Sequence, residues 1–192
     1  MAGSIRHGLL TFVLTDFRKR IETAIQWLCE EWYSETLAAQ SAPLQNGDSA
    51  NINQTPTYTH WTLRLLDGLL PYLDAKDKQL LRLLSEIPQL SPPMIDRVKK
   101  LAQDPERVPL ATMALYYLIL MRPPVKEMCL DAVQDMFETN PLAKARTKDV
   151  LKKFRPDALP EESAPAPVKT EAVVKPEGGG PPLATPEQKV AS

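Results

Sequence analysis

The chain has 192 residues, a hydrophobic fraction of 43% and a formal net charge of −1. That length fits one domain plus a tail, and that charge balance excludes a surface built as a whole to coat nucleic acid or an anionic membrane. Two cysteines, Cys29 and Cys129, stand too far apart for a disulfide framework or a zinc-ligand spacing, which fits a reduced intracellular compartment.

The first residues lack the uninterrupted apolar run of a secretory signal, and residues 1–8 read as a flexible N-terminus. From Leu9 to about Ala39, Leu10, Val13, Leu14, Phe17, Ile21, Ile25, Leu28 and Trp32 follow helical spacing. This predicts one long amphipathic helix, or two with a bend. Residues 42–56 are rich in Asn, Gln, Ser, Asp and Gly, and a polar surface loop is expected over about 40–57.

Tyr58 to Leu73 resumes the helical pattern, with Pro71 expected to end or kink it. Asp74 then reads as the cap of the next helix, whose stripe is Leu80, Leu83, Leu84 and Ile87, closed by Pro88. From there prolines open each segment: Pro92-Pro93 after Ser91, Pro105 after Asp104, Pro123-Pro124 after Arg122, Pro141 after Asn140. Proline suits a first helical turn, where its missing N–H would be unpaired and its φ is already helical. Pro109 interrupts the regularity, so that segment begins either with an irregular turn over Asp104 to Val108 or with a helix proper near Pro109. From Leu110 to Met121 the residues are apolar nearly all round, which predicts a helix buried between neighbours. The stretch from Val108 is also too short for a membrane span, which takes about 20 residues.

Val125, Met128, Cys129, Ala132, Val133, Met136 and Phe137 form the next stripe. The last helix carries Lys144, Arg146, Lys148, Lys152, Lys153 and Arg155 around Leu142, Val150, Leu151 and Phe154. Beyond residue 155 the chain holds eight of its 19 prolines, a Gly178-Gly179-Gly180 run and no aromatic residue. Such a segment, 156–192, cannot bury enough apolar surface to offset chain entropy and reads as a disordered tail. Pro93 to Pro124 is 31 residues and Pro105 to Pro141 is 36, steps loosely like those of helix-pair repeats. The predicted fold is all-α: antiparallel helical repeats over 9–155, as in a HEAT/armadillo-like α-solenoid, with a disordered Pro-rich C-terminal tail. Solenoids of this class present binding surfaces.

No constellation of catalytic, metal or cofactor-binding residues emerges. His7 and His60 stand alone, Asp74 and Asp77 read as helix-start caps, and both cysteines fall on apolar stripes. No small-molecule substrate, no cofactor and no enzyme activity are expected. Trp27 and Tyr33 lie off the centre of the first stripe and meet either the next repeat or a partner. The basic run Lys144, Arg146, Lys148, Lys152, Lys153 and Arg155 is either a solvated helix end or a contact for an acidic protein or RNA; it lacks the interleaved aromatics of a single-strand platform.

Four stretches together carry a family resemblance. They are Ile25-Gln-Trp-Leu-Cys-Glu-Glu-Trp-Tyr33, Leu65-Leu-Asp-Gly-Leu-Leu-Pro-Tyr-Leu-Asp-Ala-Lys-Asp77, Leu84-Ser-Glu-Ile-Pro88 and Met121-Arg-Pro-Pro124, with a Val-Lys-x-Leu-x-x-Asp-Pro step from Val98 to Pro105. In this order, over Leu9 to Pro156, the chain resembles the C-terminal domain of the symplekin family, nearer its fungal members. The resemblance implies a nuclear scaffold of pre-mRNA cleavage and polyadenylation, without catalytic residues. Its implied partners are the endonuclease subunit and that subunit's inactive paralogue. Against the family the chain starts at the C-terminal region, so the phosphatase-binding role of the N-terminal repeats is not implied. Without the resemblance the same pattern fits a generic helical adaptor in another nuclear complex.

Overall fold

The computed structural model describes residues 2–41 and 56–159. Among these residues there are eight α-helices, short 3₁₀ turns and no strand. The helices are α1 (Ala2–Thr15), α2 (Phe17–Ser41), α3 (Thr57–Leu69), α4 (Gln79–Glu86), α5 (Pro92–Lys100), α6 (Val108–Met121), α7 (Lys126–Thr139) and α8 (Lys144–Phe154). The polar loop between α2 and α3 and the chain beyond residue 159 lie outside the described residues.

The helices pack antiparallel in two layers. α1, α3, α5 and α7 lie side by side in one, and α2, α4, α6 and α8 in the other. Each helix meets only its near neighbours in sequence, which is the connectivity of a stacked helix-pair repeat. The seam between layers is aliphatic: Leu28, Leu65, Leu66, Leu83, Leu84, Ile95 and Leu115 are fully buried. Each such side chain contributes about 1.5–3 kcal/mol on leaving water. α3 also approaches α1 closely at Gly68, where a Cβ would run into the methyls of Leu14.

Several sequence expectations need correction in detail. Residues 2–8 are not a loose lead-in but the first turns of α1. They are tied down by Arg6, whose guanidinium forks onto Glu31 of α2 at 2.6 and 2.8 Å. Of the two readings of the first segment, the structure has the second: two helices that meet at Asp16. That residue accepts the Lys19 and Arg20 N–H groups on its carbonyl and a further Lys19 contact on its carboxylate, so it starts α2 as a cap does. α4 begins at Gln79, and it is Asp77, not Asp74, that accepts the Gln79 N–H. Around Pro109 both readings hold: Asp104 to Arg107 form an irregular turn, and α6 begins at Val108 with Pro109 inside its first turn. The helical domain continues past residue 155, through a 3₁₀ turn at Pro156–Ala158, to Leu159 packed on the core.

The polar residues before the prolines divide by role. Asp104 and Asn140 accept the N–H two residues on, at 3.0 and 2.9 Å. The Ser91 hydroxyl is buried without a partner, and the Ser91 carbonyl receives the N–H groups of Met94 and Ile95 instead. Arg122 ends α6 with its backbone N–H on the Leu118 carbonyl, and its side chain acts elsewhere. Its guanidinium donates to the carbonyls of Leu84, Ile87 and Pro88 at 2.8 to 3.0 Å, closing the end of α4. Arg107 does the same for Leu70 and Pro71 after α3, and the Asn140 amide for Ala102 after α5. Helix C-termini leave carbonyls without internal donors. At the ends of α3, α4 and α5 a residue further along, from the next part of the stack, satisfies some of them.

Candidate protein interaction surface

The residues singled out from sequence do not form one patch. Trp27 is 8% exposed. Its ring stacks at a tilt on Trp61 of α3 with centroids 5.7 Å apart, and its indole N–H donates to Glu31 at 2.9 Å. It is a core residue packed between α2 and α3 and not an exposed partner anchor. Tyr33 is 54% exposed and stands one helical turn from Leu37, itself 43% exposed, on the open side of α2. Trp32 is half-buried, with its indole N–H on Gln89.

Burial by itself would raise the Glu31 carboxyl. The hydrogen bonds from Arg6 and Trp27, with the Arg6 charge, outweigh it and hold the group below its ordinary value. A depressed folded-state pKa stabilises above the unfolded value and loses that contribution as pH falls through the folded value. At neutral pH Glu31→Gln is expected to destabilise the domain by about 2 kcal/mol, the worth of hydrogen bonds to a charged group. Urea melts at several pH values check this. The gap between wild type and variant should shrink below about pH 4, where glutamate protonates. A gap of constant size from neutral to acid pH would refute the assignment.

The basic run of α8 is split by its neighbours. Arg155 turns onto α7, where it meets Asp131 at 2.7 Å, Glu127 at 2.8 Å and Gln134 at 3.0 Å. Lys153 reaches α6, donating to the Tyr116 hydroxyl at 3.0 Å and lying over the Tyr116 and Phe154 rings. Lys144 lies over Phe137 of α7. Lys144, Lys148 and Lys152 share one face by their i, i+4 spacing, while Arg146 projects toward α6 beside Asp149. The exposed side of α7 next to this helix is acidic, with Asp131, Asp135 and Glu138 around Gln134. Arg155, Lys153 and Lys144 therefore fasten α8 to α7 and α6.

Sequence reasoning missed one exposed apolar face. α6 is not buried all round: Met113 is 59% exposed, Leu120 45% and Met121 60%. It lies between α4 and α8 in its layer and over α5 and α7, so one side of a helix without any charged residue is left open. Two cavities flank Met113. One of about 230 Å³ is lined by Ala75, Lys78, Leu81, Leu110 and Ala114. The other, about 220 Å³, is lined by Pro109, Tyr116, Arg146 and Val150. The signal available in sequence was the missing polar face of α6, which reads equally as burial or as a contact surface.

Burial pushes the Cys129 thiol up to about 12, partly opposed by the Arg122 charge, so it stays a protonated core group at neutral pH. Burial also raises the half-buried Cys29. Among the described residues no group of three or more His, Cys, Asp or Glu side chains is placed to hold a metal ion. No helix among them is long and apolar enough to cross a membrane.

Against known proteins, the chain is similar to the mRNA cleavage and polyadenylation specificity factor complex subunit pta1 of Schizosaccharomyces pombe. The two are 32% identical over 122 residues, 64% of this chain and 18% of that protein. The chain thus spans under a fifth of the relative's length, at the identity of a distant homologue. No family model matches the chain, and no solved structure matches it.

Proposed function

We propose that this chain is a non-enzymatic scaffold domain of a nuclear pre-mRNA cleavage and polyadenylation complex, of the kind formed by the C-terminal repeats of the symplekin family. The observation that carries this is the similarity to the pta1 subunit. The two-layer helical stack supports it, because such stacks bind through surface complementarity between packed side chains and a partner. The partners in this reading are the endonuclease subunit and its inactive paralogue. A few anchors supply most of the affinity, and exposed aliphatic and aromatic side chains, such as those of α6 and Tyr33 with Leu37, are the natural source.

The test is co-purification. The tagged chain, co-expressed with the two partner subunits, is expected to retain both through washes at about physiological ionic strength, where charges more than about 8 Å apart are largely screened. Loss of both subunits under those washes would overturn the reading. Retention of RNA instead, with an affinity falling steeply and linearly in log salt, would replace it by direct nucleic-acid binding.

A further inference from the structure

The open side of α6 departs from ordinary surface chemistry. Helices at a protein surface show water a polar stripe. α6 shows it Met113, Leu120 and Met121, with Tyr116 and Tyr117 half-buried beside them. Their spacing of i, i+3, i+4, i+7 and i+8 makes a ridge along the helix axis. Apolar surface of this type, rich in Met and Tyr and depleted in charge, marks the centre of a contact with another macromolecule. Met113 stands between the two flanking cavities, each the size of one or two side chains.

The rim narrows the occupant. Lys76 and Lys78 border the cavity on the α4 side, and Arg146 borders the one on the α8 side. All three are exposed, and none forms an ion pair with a carboxylate among the described residues. Asp149 is the single acid among the residues lining the α8-side cavity. Asp77, on the α4 side, is held by Arg18 at 2.7 Å. The rim is therefore positive around an apolar centre. The face belongs to a helix, whose backbone N–H and C=O groups are already paired, so an extended strand would find no backbone partners there. A ligand that brings its own backbone satisfied fits. A second copy of the same face would set like-charged rims against each other.

We infer that α6 is the docking face for an amphipathic helix of a partner protein, with apolar anchors at i, i+3 or i+4 and i+7 and acidic residues along its edges. The anchors enter the cavities on either side of Met113, and the acidic edges meet Lys76, Lys78 and Arg146. The inference stands on this face alone, whichever complex the chain serves.

A phage-displayed library of helical peptides of about 16 residues, long enough to lie along a helix of this size, is selected against the folded full chain. The expected consensus has apolar residues at helical spacing with Glu or Asp flanking them. Binding of the enriched peptide is then followed by fluorescence anisotropy. Met113→Glu and Leu120→Glu are each expected to weaken it at least about tenfold, as loss of a central anchor does. Lys76→Glu with Lys78→Glu weakens it several-fold, more at low salt than at high. That pair of changes leaves the apolar ridge untouched and serves if a Glu on α6 disturbs folding; circular dichroism melts report which. Four results would overturn the inference. They are a basic or patternless consensus, no enrichment over the Met113→Glu chain, peptide binding that the variants leave unchanged, and a concentration-dependent dimer abolished by Met113→Glu.

Discussion

Arg122→Ala is expected to destabilise the domain by about 3 kcal/mol, although the residue lies in a connection between helices and not in the core. Its guanidinium makes three carbonyl contacts at once, on Leu84, Ile87 and Pro88. Alanine leaves those oxygens at the end of α4 without a donor, in a part-buried site where water replaces it poorly. Hydrogen bonds from a charged donor are worth about 1.5–3 kcal/mol each, and a single side chain making three does not add them in full. For a domain of this size that loss lowers the thermal midpoint by roughly 6–12 °C. Arg122→Lys is the informative companion. A lysine keeps the charge but cannot fork across three acceptors, so it should recover less than half of the loss. Chemical denaturation of the three proteins decides the matter. A drop under about 1 kcal/mol for alanine, or full recovery with lysine, would show that Arg122 acts as a simple surface charge.

Trp27→Ala should have the largest effect of any substitution among the residues first considered as partner contacts, about 3–5 kcal/mol. The indole is buried, stacks on Trp61 and gives Glu31 one of the hydrogen bonds that keep it ionised. Removing it leaves a cavity between α2 and α3 and takes one donor from the carboxylate that anchors α1. Loss of near-ultraviolet circular dichroism and a lower denaturation midpoint report the change. Tyr33→Ala, at an open position six residues on, is expected to stay within about 0.5 kcal/mol of wild type. If the two variants proved equally stable, Trp27 would not be the packing residue that its surroundings make it.

Much of this architecture is legible in the bare chain. The i, i+4 stripes of α2, α3, α5 and α7 carry enough aliphatic residues to mark both the helix and its inward side. Proline and its preceding residue mark the starts of α5 and of the turn ahead of α7. Other features depend on distance in space and leave no local trace. Asp16 resembles any acid in a helix until its carbonyl is seen receiving the first N–H groups of α2. Trp27 sits off its own helix's stripe because it packs sideways on Trp61, from a segment beyond the polar loop. The open side of α6 escapes sequence reasoning for a different reason. Burial and docking both select apolar residues, and only the position of α4 and α8 tells which side is left uncovered. The α8 cations mislead in the opposite sense, since Arg155 and Lys153 are engaged by acceptors on α7 and α6 that no spacing rule connects to them.

Three of the side chains that close helix ends reach backward along the chain by about one helix pair. Arg107 serves carbonyls after α3, Arg122 serves those after α4, and Asn140 serves the one after α5. A segment leaving the ribosome therefore has its final carbonyls exposed until about thirty-five further residues have followed, the separation of each donor from its acceptor. The ends of α3, α4 and α5 are each sealed by a residue of a later helix or turn. Synthesis of this stack has a direction of completion, in which a nascent chain halted after α5 holds open ends that the finished chain does not.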